Sequence, residues 1–354
     1  MTSMHRDRRS WGRVEGTTVT LAHGAGGRAM RDLIEGVFLA AFGSPSRQIL
    51  EDQARADLSE FTAGGDRLAF TTDSFVVDPL FFPGGDIGRL AVCGTINDLA
   101  VGGATPLYLS CAFILEEGLD LDVLRRVAAS MAVAAVESGV RIVTGDTKVV
   151  NRGACDKLFI TTSGVGVIPR GVDLGIAKAQ PGDVVLVNGF LGDHGAAILE
   201  ARGEMALQSP IVSDCAPLHD LCRQIIGAAP GVRCLRDATR GGAATVLNEI
   251  AEASLVGIQV EERRIPVLEE VRGFCEILGL DPMYLANEGK LIVVASPEAA
   301  EPVLATMRAH PLGTRAAEIG RITEQEPGRV IIQSVMGGRR ILDMMVGDQL
   351  PRIC

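Results

Sequence analysis

The sequence lacks several features, and each absence narrows what the chain does. No apolar run approaches the roughly 20 residues that cross a bilayer. Residues 1–12 are basic and polar, without the apolar core of a signal peptide. Elsewhere no Lys/Arg run stands out, and 34 Lys and Arg against 44 Asp and Glu leave a net charge of −10. That balance argues against a nucleic-acid partner. The eight cysteines, at 93, 111, 155, 215, 222, 234, 275 and 354, form no C-x-x-C pair. In a reducing compartment most of them read as small buried hydrophobes. There is one tryptophan, Trp11, no low-complexity segment and no short-period repeat. Together these absences lead us to expect a cytoplasmic globular protein.

What is present is a large core and an unusual end. A hydrophobic fraction of 47% with 22% charged residues suits a packed interior, and 354 residues suit two domains. The chain ends in Pro351-Arg352-Ile353-Cys354. Fully extended, Gly347 to Cys354 reaches at most about 26–29 Å. A terminal thiol on such a tail could carry an attached group into a cleft, because the thiolate is the nucleophile. It could equally be a frayed end. Cys215, His219 and Cys222 stand at i, i+4 and i+7, a spacing for one helical face. They could hold a soft metal or simply pack a helix; no fourth ligand is evident.

Taken in order, residues 1–17 read as a mobile extension. His23-Gly24-Ala25-Gly26-Gly27 then feeds helical Arg28–Ala41. Such a glycine-rich turn can cradle phosphate with backbone N–H groups. It is not a Walker A loop, since no Gly-Lys-Ser/Thr follows. Strands are expected at 68–72, 107–115, 140–144 and 158–167. Helices are expected at 87–100 and 121–138, with Asp86 and Asp120 as N-caps. Turn residues from Pro169 to Asp183 mark a domain boundary. In the second half, strands are expected at 184–187, 258–260, 291–295, 317–322 and 329–332, and helices at 195–202, 216–228, 243–253 and 268–278.

The aspartates of the first half fall in informative places. Asp52 lies in Glu-Asp-Gln-Ala, Asp73 and Asp146 read as directly following strands, and Asp98 sits in an otherwise apolar helix. A buried carboxylate needs a partner, and several converging on one cleft suit Mg²⁺, a hard cation that takes oxygen ligands. Each is also explicable alone as a cap or turn residue. Lys148, after Gly145-Asp146, and Glu288, in Asn-Glu-Gly-Lys before an apolar strand, are further candidates. The loop Arg236 to Gly242 could bind phosphate or merely enter a helix.

These segments together resemble the PurM-like superfamily of ATP-using enzymes, which includes aminoimidazole ribonucleotide synthetase, selenophosphate synthetase and thiamine-monophosphate kinase. The shared marks are Thr-Thr-Asp at 71–73, Asn-Asp-Leu-Ala at 97–100, Gly-Asp-Thr at 145–147 and Thr-Arg-Gly-Gly at 239–242. Within it, the chain resembles the HypE family of hydrogenase maturation factors. The marks are Glu-Asp-Gln-Ala at 51–54, the run from Thr72 to Gly88, Asn-Glu-Gly-Lys at 287–290 and the terminal Pro-Arg-Ile-Cys. The early glycine loop has no cysteine, unlike that of the selenophosphate synthetases.

The resemblance implies an α/β (α+β) fold of two PurM-like domains, at 18–170 and 171–345, followed by a swinging tail at 346–354. It implies a homodimer whose N-terminal sheets pair into a β-barrel, with a C-terminal α/β sandwich domain. It implies the ATP-dependent dehydration of a carbamoyl group, placed on Cys354 by the transferase HypF, to a thiocyanate. The cyano group would then pass to iron held by the HypC–HypD pair. Asp52, Asp73, Asp98 and Asp146 would hold Mg²⁺ and the phosphates of ATP, with Asn97 assisting. The backbone of Gly24, Gly26 and Gly27 would cover the phosphate end, and Lys148 and Glu288 would lie beside the inserted tail. Pro351 would stiffen that tail, Ile353 would anchor it, and Arg352 would set a positive charge near the thiol. Two other readings remain: a small-molecule kinase or synthetase of the same superfamily, and a non-enzymatic scaffold whose terminal cysteine binds iron or a partner.

Overall fold

A computed structural model describes residues 14, 16–43, 53–203, 209–344 and 352–354. The first helical element among the described residues is a single 3₁₀ turn, Leu21–Gly24, followed by helix α1, Arg28–Leu33, which runs through a π-helical stretch, Ile34–Leu39, into α2, Ala40–Phe42. After α3 (Leu58–Gly64) come β1 (Arg67–Phe75), the small pair β2 (Phe81–Phe82) and β3 (Gly85–Asp86), and α4 (Ile87–Val101). Then follow β4 (Thr105–Glu116), α5 (Leu121–Glu137), β5 (Arg141–Val150) and β6 (Leu158–Ile168). The four long strands form one sheet in the order β1-β6-β4-β5, all antiparallel except β4 with β5.

Asp86 caps α4 by accepting from the Gly88 and Arg89 N–H groups at 2.8 and 3.1 Å, and Asp120 caps α5 from Asp122 N–H at 2.7 Å. Helix α4 is apolar on almost every side, so it must be covered on every side. It packs on β1, β6 and α5 within its own domain and on α7 and β8 of the next.

The second half contains β7 (Val184–Val187), α6 (Asp193–Ala201), α7 (His219–Ala228), β8 (Val232–Asp237), α8 (Gly242–Ser254) and β9 (Gly257–Glu261). It continues with α9 (Glu269–Leu278), β10 (Leu291–Ala295), α10 (Pro297–Ala309), β11 (Ala317–Thr323), β12 (Val330–Gln333) and β13 (Arg339–Ile341). Its seven strands lie in the order β13-β12-β9-β11-β7-β10-β8, with β12 and β9 as the parallel pair. The central strands are apolar on both faces because both are covered. Val184, Leu186, Leu291 and Val293 meet α7 and α10, while Val185, Val187, Ile292 and Val294 meet α8. Among the described residues, no helix is long and apolar enough to cross a membrane.

Several expectations change. Strand β1 does not stop at Thr72, and β5 continues to Val150, so Asp73, Asp146 and Lys148 lie inside strands rather than after them. Gly145 is no turn: a methyl group there would fall 2.3 Å from the Cys111 carbonyl oxygen on β4. The described end of the N-terminal extension is packed. Val14 is buried in the first core, and Thr17 accepts from the Leu121 N–H at 2.8 Å. Helix α7 starts at His219, so Cys215 precedes it and the three-residue helical face does not form. No metal-holding group of His, Cys, Asp or Glu occurs among the described residues. Asp52, Pro351 and most of the tail lie outside the described residues.

Candidate active site

Strand β1 alternates. Thr71 and Asp73 point inward toward α4, while Leu68 and Phe70, 63% and 73% exposed, point outward with Thr72 and Ser74. Asp73 Oδ2 lies over Gly94 of α4, and Thr71 donates to Asp98 Oδ2 at 2.8 Å. From the other domain, the end of β8 brings Asp237, and the following loop brings Arg240, whose guanidinium stands 3.7 Å from Asp73 Oδ1. Glu288, buried, completes this inner group.

The inner group is overcharged. Burial raises the pKa of Asp73 and of Asp98, although Ser74 N–H and Arg240 favour ionised Asp73, and Thr71, Arg236 and Arg240 favour ionised Asp98. Asp237 is pushed up to about 7, by burial first and then by Asp98 and Asp73. Glu288 is raised well above the usual range by burial and by the negative charge of Asp214, Asp237 and Asp73. This set of hard oxygen donors, buried and with negative neighbours raising Asp73, Asp237 and Glu288, fits a divalent cation. The described carboxylates do not close around an ion by themselves. Mg²⁺ often completes its shell with substrate phosphates, so the fit is to a metal–nucleotide pair.

A second group lies on the opposite face of the same sheet. In β5, Asp146 pairs across from Ala112 and Lys148 from Ile114, on the outward side, whereas Thr147 is buried inward. Lys148 Nζ sits 2.7 Å from Asp146 Oδ2, and this lysine holds the exposed Asp146 carboxyl below its usual range. The glycine loop borders this strand. A methyl group on Gly24 would come within 2.7 Å of the Val149 nitrogen, so only glycine allows the close approach. Gly26 has φ +76°, and both Gly26 and Gly27 face open space. Within one chain, then, Asp73, Asp98 and Glu288 converge, while Asp146, Lys148 and the glycine loop form a separate outer group.

Asn97 has a different occupation from ligand binding. Its side-chain nitrogen donates to the carbonyls of Ala216 and Glu288 at 3.1 and 3.3 Å, and its oxygen accepts from Leu218 N–H at 2.7 Å. It therefore clamps α4 to the other domain and to the Glu288 backbone. Asp214 secures the same loop from the far side. Its carboxylate takes the Glu288 and Gly289 N–H groups at 3.0 and 3.1 Å and Lys290 Nζ at 2.9 Å. Burial alone would raise its pKa, but Lys290 and the Glu288 N–H hold it low.

The end of the tail is docked. Arg352 and Cys354 lie antiparallel to the chain just beyond β1: Val76 N–H donates to the Cys354 carbonyl at 3.0 Å and Asp78 N–H to that of Arg352 at 3.3 Å. Ile353 is 4% exposed and Cys354 packs against the first core. The Arg352 side chain is itself held in place. Its Nη1 pairs with Asp156 at 2.5 Å and its Nε donates to the Val76 carbonyl at 3.0 Å. The backbone of Cys354 is thus held at Val76, three residues past Asp73. Asp237 and Arg240 were legible only as part of a polar loop that could bind phosphate, and Asp214 and His194 carried no sequence signal.

Known proteins share this family and fold. The N-terminal domain model of AIR synthase related proteins matches residues 51–168, and the C-terminal domain model matches 180–333. The chain is 59% identical over 336 residues to carbamoyl dehydratase HypE of Rhodobacter capsulatus, covering 95% of this chain and 98% of that one. It superposes on a hydrogenase maturation protein HypE solved in complex with ATP, with a TM-score of 0.90 and 49% identity over 95% of this chain and all of that one. It also matches the structure of a HypE–HypF complex, with a TM-score of 0.76 and 48% identity over 78% of this chain and 90% of that one.

Proposed function

This chain belongs to the AIR synthase related family and, within it, to the HypE carbamoyl dehydratases, and on that premise we propose that it dehydrates a carbamoyl group carried on Cys354, using ATP. The single observation that carries the reading is the docked tail. Its last residue is held by the backbone just beyond β1, the strand that carries Asp73.

The chemistry follows from a poor leaving group. The oxygen of the S-carbamoyl amide takes the γ-phosphoryl group of ATP and one N–H proton leaves, giving an imidate phosphate and ADP. Loss of phosphate and the second N–H proton then leaves the thiocyanate. Phosphoryl transfer of this kind needs positioning and charge neutralisation more than covalent help. Asp73, Asp98 and Asp237 would hold Mg²⁺ with the nucleotide, while Asp52, and Asp146 on the outer face of the sheet, would serve a separate part of the ATP site. Bound Mg²⁺ would supply positive charge against the phosphoryl oxygens and these carboxylates.

The other steps belong to the protein's own residues. Arg240, beside Asp73 and largely exposed, offers a cation to phosphate. Glu288 holds its proton while Asp214, Asp237 and Asp73 are negative around it. Burial also favours the protonated form; cations that offset the negative neighbours would ease ionisation of Glu288, the acceptor for the amide proton. Lys148 orients the carbamoyl group or steadies the developing negative oxygen. The backbone of Gly24, Gly26 and Gly27 covers the phosphate end.

In one chain Lys148 and Glu288 face opposite sides of the sheet. In a homodimer that pairs the exposed outer faces around Leu68 and Phe70, the Asp146–Lys148 group of each copy would lie toward the subunit interface. The work would take place in the cytoplasm. HypF would load the thiol, in keeping with the solved HypE–HypF complex, and the HypC–HypD pair would receive the cyano group for the hydrogenase iron. The discriminating experiment is a pair of variants. Lys148→Ala and Glu288→Gln should accept carbamoyl on Cys354 and fail to lose water from it; dehydration at the normal rate would remove the role from that residue.

A further inference from the structure

The seat of the tail contains a residue that neither the sequence motifs nor the dehydration chemistry requires. His194, fully enclosed in the first turn of α6, has its Nε2 2.8 Å from the Ile353 carbonyl oxygen and its Nδ1 2.8 Å from Ser213 Oγ. A carbonyl only accepts, so Nε2 carries the proton and donates. Ser213 Oγ already accepts from the Cys215 N–H at 3.1 Å, which turns its own hydrogen toward Nδ1. The ring is thus a neutral imidazole of fixed tautomer, and burial disfavours the charged form. Phe82 closes against the ring edge-on, with centroids 5.5 Å apart.

Around this bond several other tail contacts read the tail backbone, beside the Arg352 side-chain bonds to Asp156 and Val76. Val76 and Asp78 supply N–H groups, and Arg202 donates to the Arg352 carbonyl at 2.9 Å. This is strand addition, in which main-chain bonds give affinity and one pocketed side chain, here Ile353, fixes register. A slip of one residue would move the thiol by about 3.3 Å and turn it to the other side. The residue after the latch's partner is Asp214, which grips the backbone of Glu288. Two adjacent loop residues therefore hold the tail latch and the backbone of Glu288.

We propose that His194 is a positioning residue that latches the docked tail through the Ile353 carbonyl and, through Ser213 and Asp214, registers the Cys354 thiol against Glu288. The inference rests on the carrier reading for its purpose. The test below reads the thiol itself, so failure of the latch and failure of the carrier role give different results.

The test measures alkylation of Cys354 by iodoacetamide in the full-length protein by peptide mass spectrometry, with Cys155 as the internal reference. His194→Leu removes the donor and should speed Cys354 labelling by about tenfold, the effect of one lost hydrogen bond to a buried carbonyl. His194→Gln, whose amide N–H can reach the same oxygen, should stay within about twofold of wild type. Water loss from carbamoylated Cys354 should slow in the first variant and recover in the second. Equal Cys354 labelling in wild type and His194→Leu overturns the latch, even where dehydration proceeds on Cys354. Should His194→Leu not fold, ¹⁵N-histidine spectra decide. The wild-type chain should show His194 as the Nε2–H tautomer, and deleting Arg352–Cys354 should shift that signal. An unchanged signal overturns the proposal.

Discussion

Replacing Asp237 with Asn should make the nucleotide-free protein more stable while disabling it. Burial, with Asp98 and Asp73 close by, pushes the Asp237 carboxyl up to about 7 from the ordinary 3.8. Between those two pH values the folded state holds a proton that the unfolded state has lost, so stability falls as pH rises through the window. Above it the full penalty applies. About 3 pKa units at 1.36 kcal/mol each sets an upper limit of about 4 kcal/mol. Relaxation of the neighbouring carboxylates reduces this, and we expect about 2 kcal/mol. Asn keeps the shape and removes the charge.

Thermal unfolding of Asp237→Asn and wild type, in chelator and without nucleotide, should coincide near pH 4, separate up to about pH 7 and level off by pH 8. There the variant should melt roughly 4–8 °C higher, at about 2–4 °C per kcal/mol for a domain of this size. Adding Mg²⁺ and ATP should raise the wild-type midpoint by binding linkage, about 2.7 kcal/mol at one hundred times the Kd, and leave the variant unmoved. A difference that is flat from pH 5 to pH 8, or a less stable variant at pH 8, would refute the electrostatic account of the inner group.

Two further outcomes follow from the same structure. Phe70→Glu puts a charge on the exposed outer face of the N-terminal sheet and should convert a dimer to a monomer in light scattering, with loss of ATP turnover; an unaltered dimer would place the contact elsewhere. Asn97→Ala strips three hydrogen bonds from a buried clamp and should cost about 3 kcal/mol in urea unfolding, since groups left unpaired in the interior lose their full solvation; a change below about 1 kcal/mol would mean that water replaces the amide.

Much of the fold was legible because its signals were local. Val184–Val187 and Leu291–Ala295 stand out as unbroken apolar runs, as strands covered on both faces must be. Asp86 and Asp120 announce α4 and α5 by supplying the acceptors that helix N-termini need. What stayed hidden depends on distant pairing. Val232–Asp237 mixes charge with apolar residues and reads as a strand only because Leu291 to Ala295 lies beside it. Helix α10 contains Pro302, a usual breaker, and is held by packing on α7. Gly145-Asp146 has the composition of a turn, yet β4 carries it onward as strand.

That last point hid part of the site. Once Asp146 and Lys148 lie in a strand, the two-residue period puts them on one face together, opposite Thr147. Read as loop residues, they carry no face at all. Asp73 was singled out for the right chemistry, but its inward direction follows from strand length and register against Thr162. Asp237 joins it because β8 ends there, and Asn97, singled out by motif, is spent on backbone groups that only folding brings within reach.

The central claim is that Cys354 carries the group that ATP dehydrates. Intact-protein mass spectrometry after incubation with HypF, carbamoyl phosphate and Mg²⁺–ATP, beside a Cys354→Ala control, tests it directly. The account predicts a carbamoyl adduct on the wild type that then loses the mass of one water, with neither species on the control. With the transferase shown to be active, no adduct on Cys354, or an adduct that keeps its water in the presence of ATP, would contradict it.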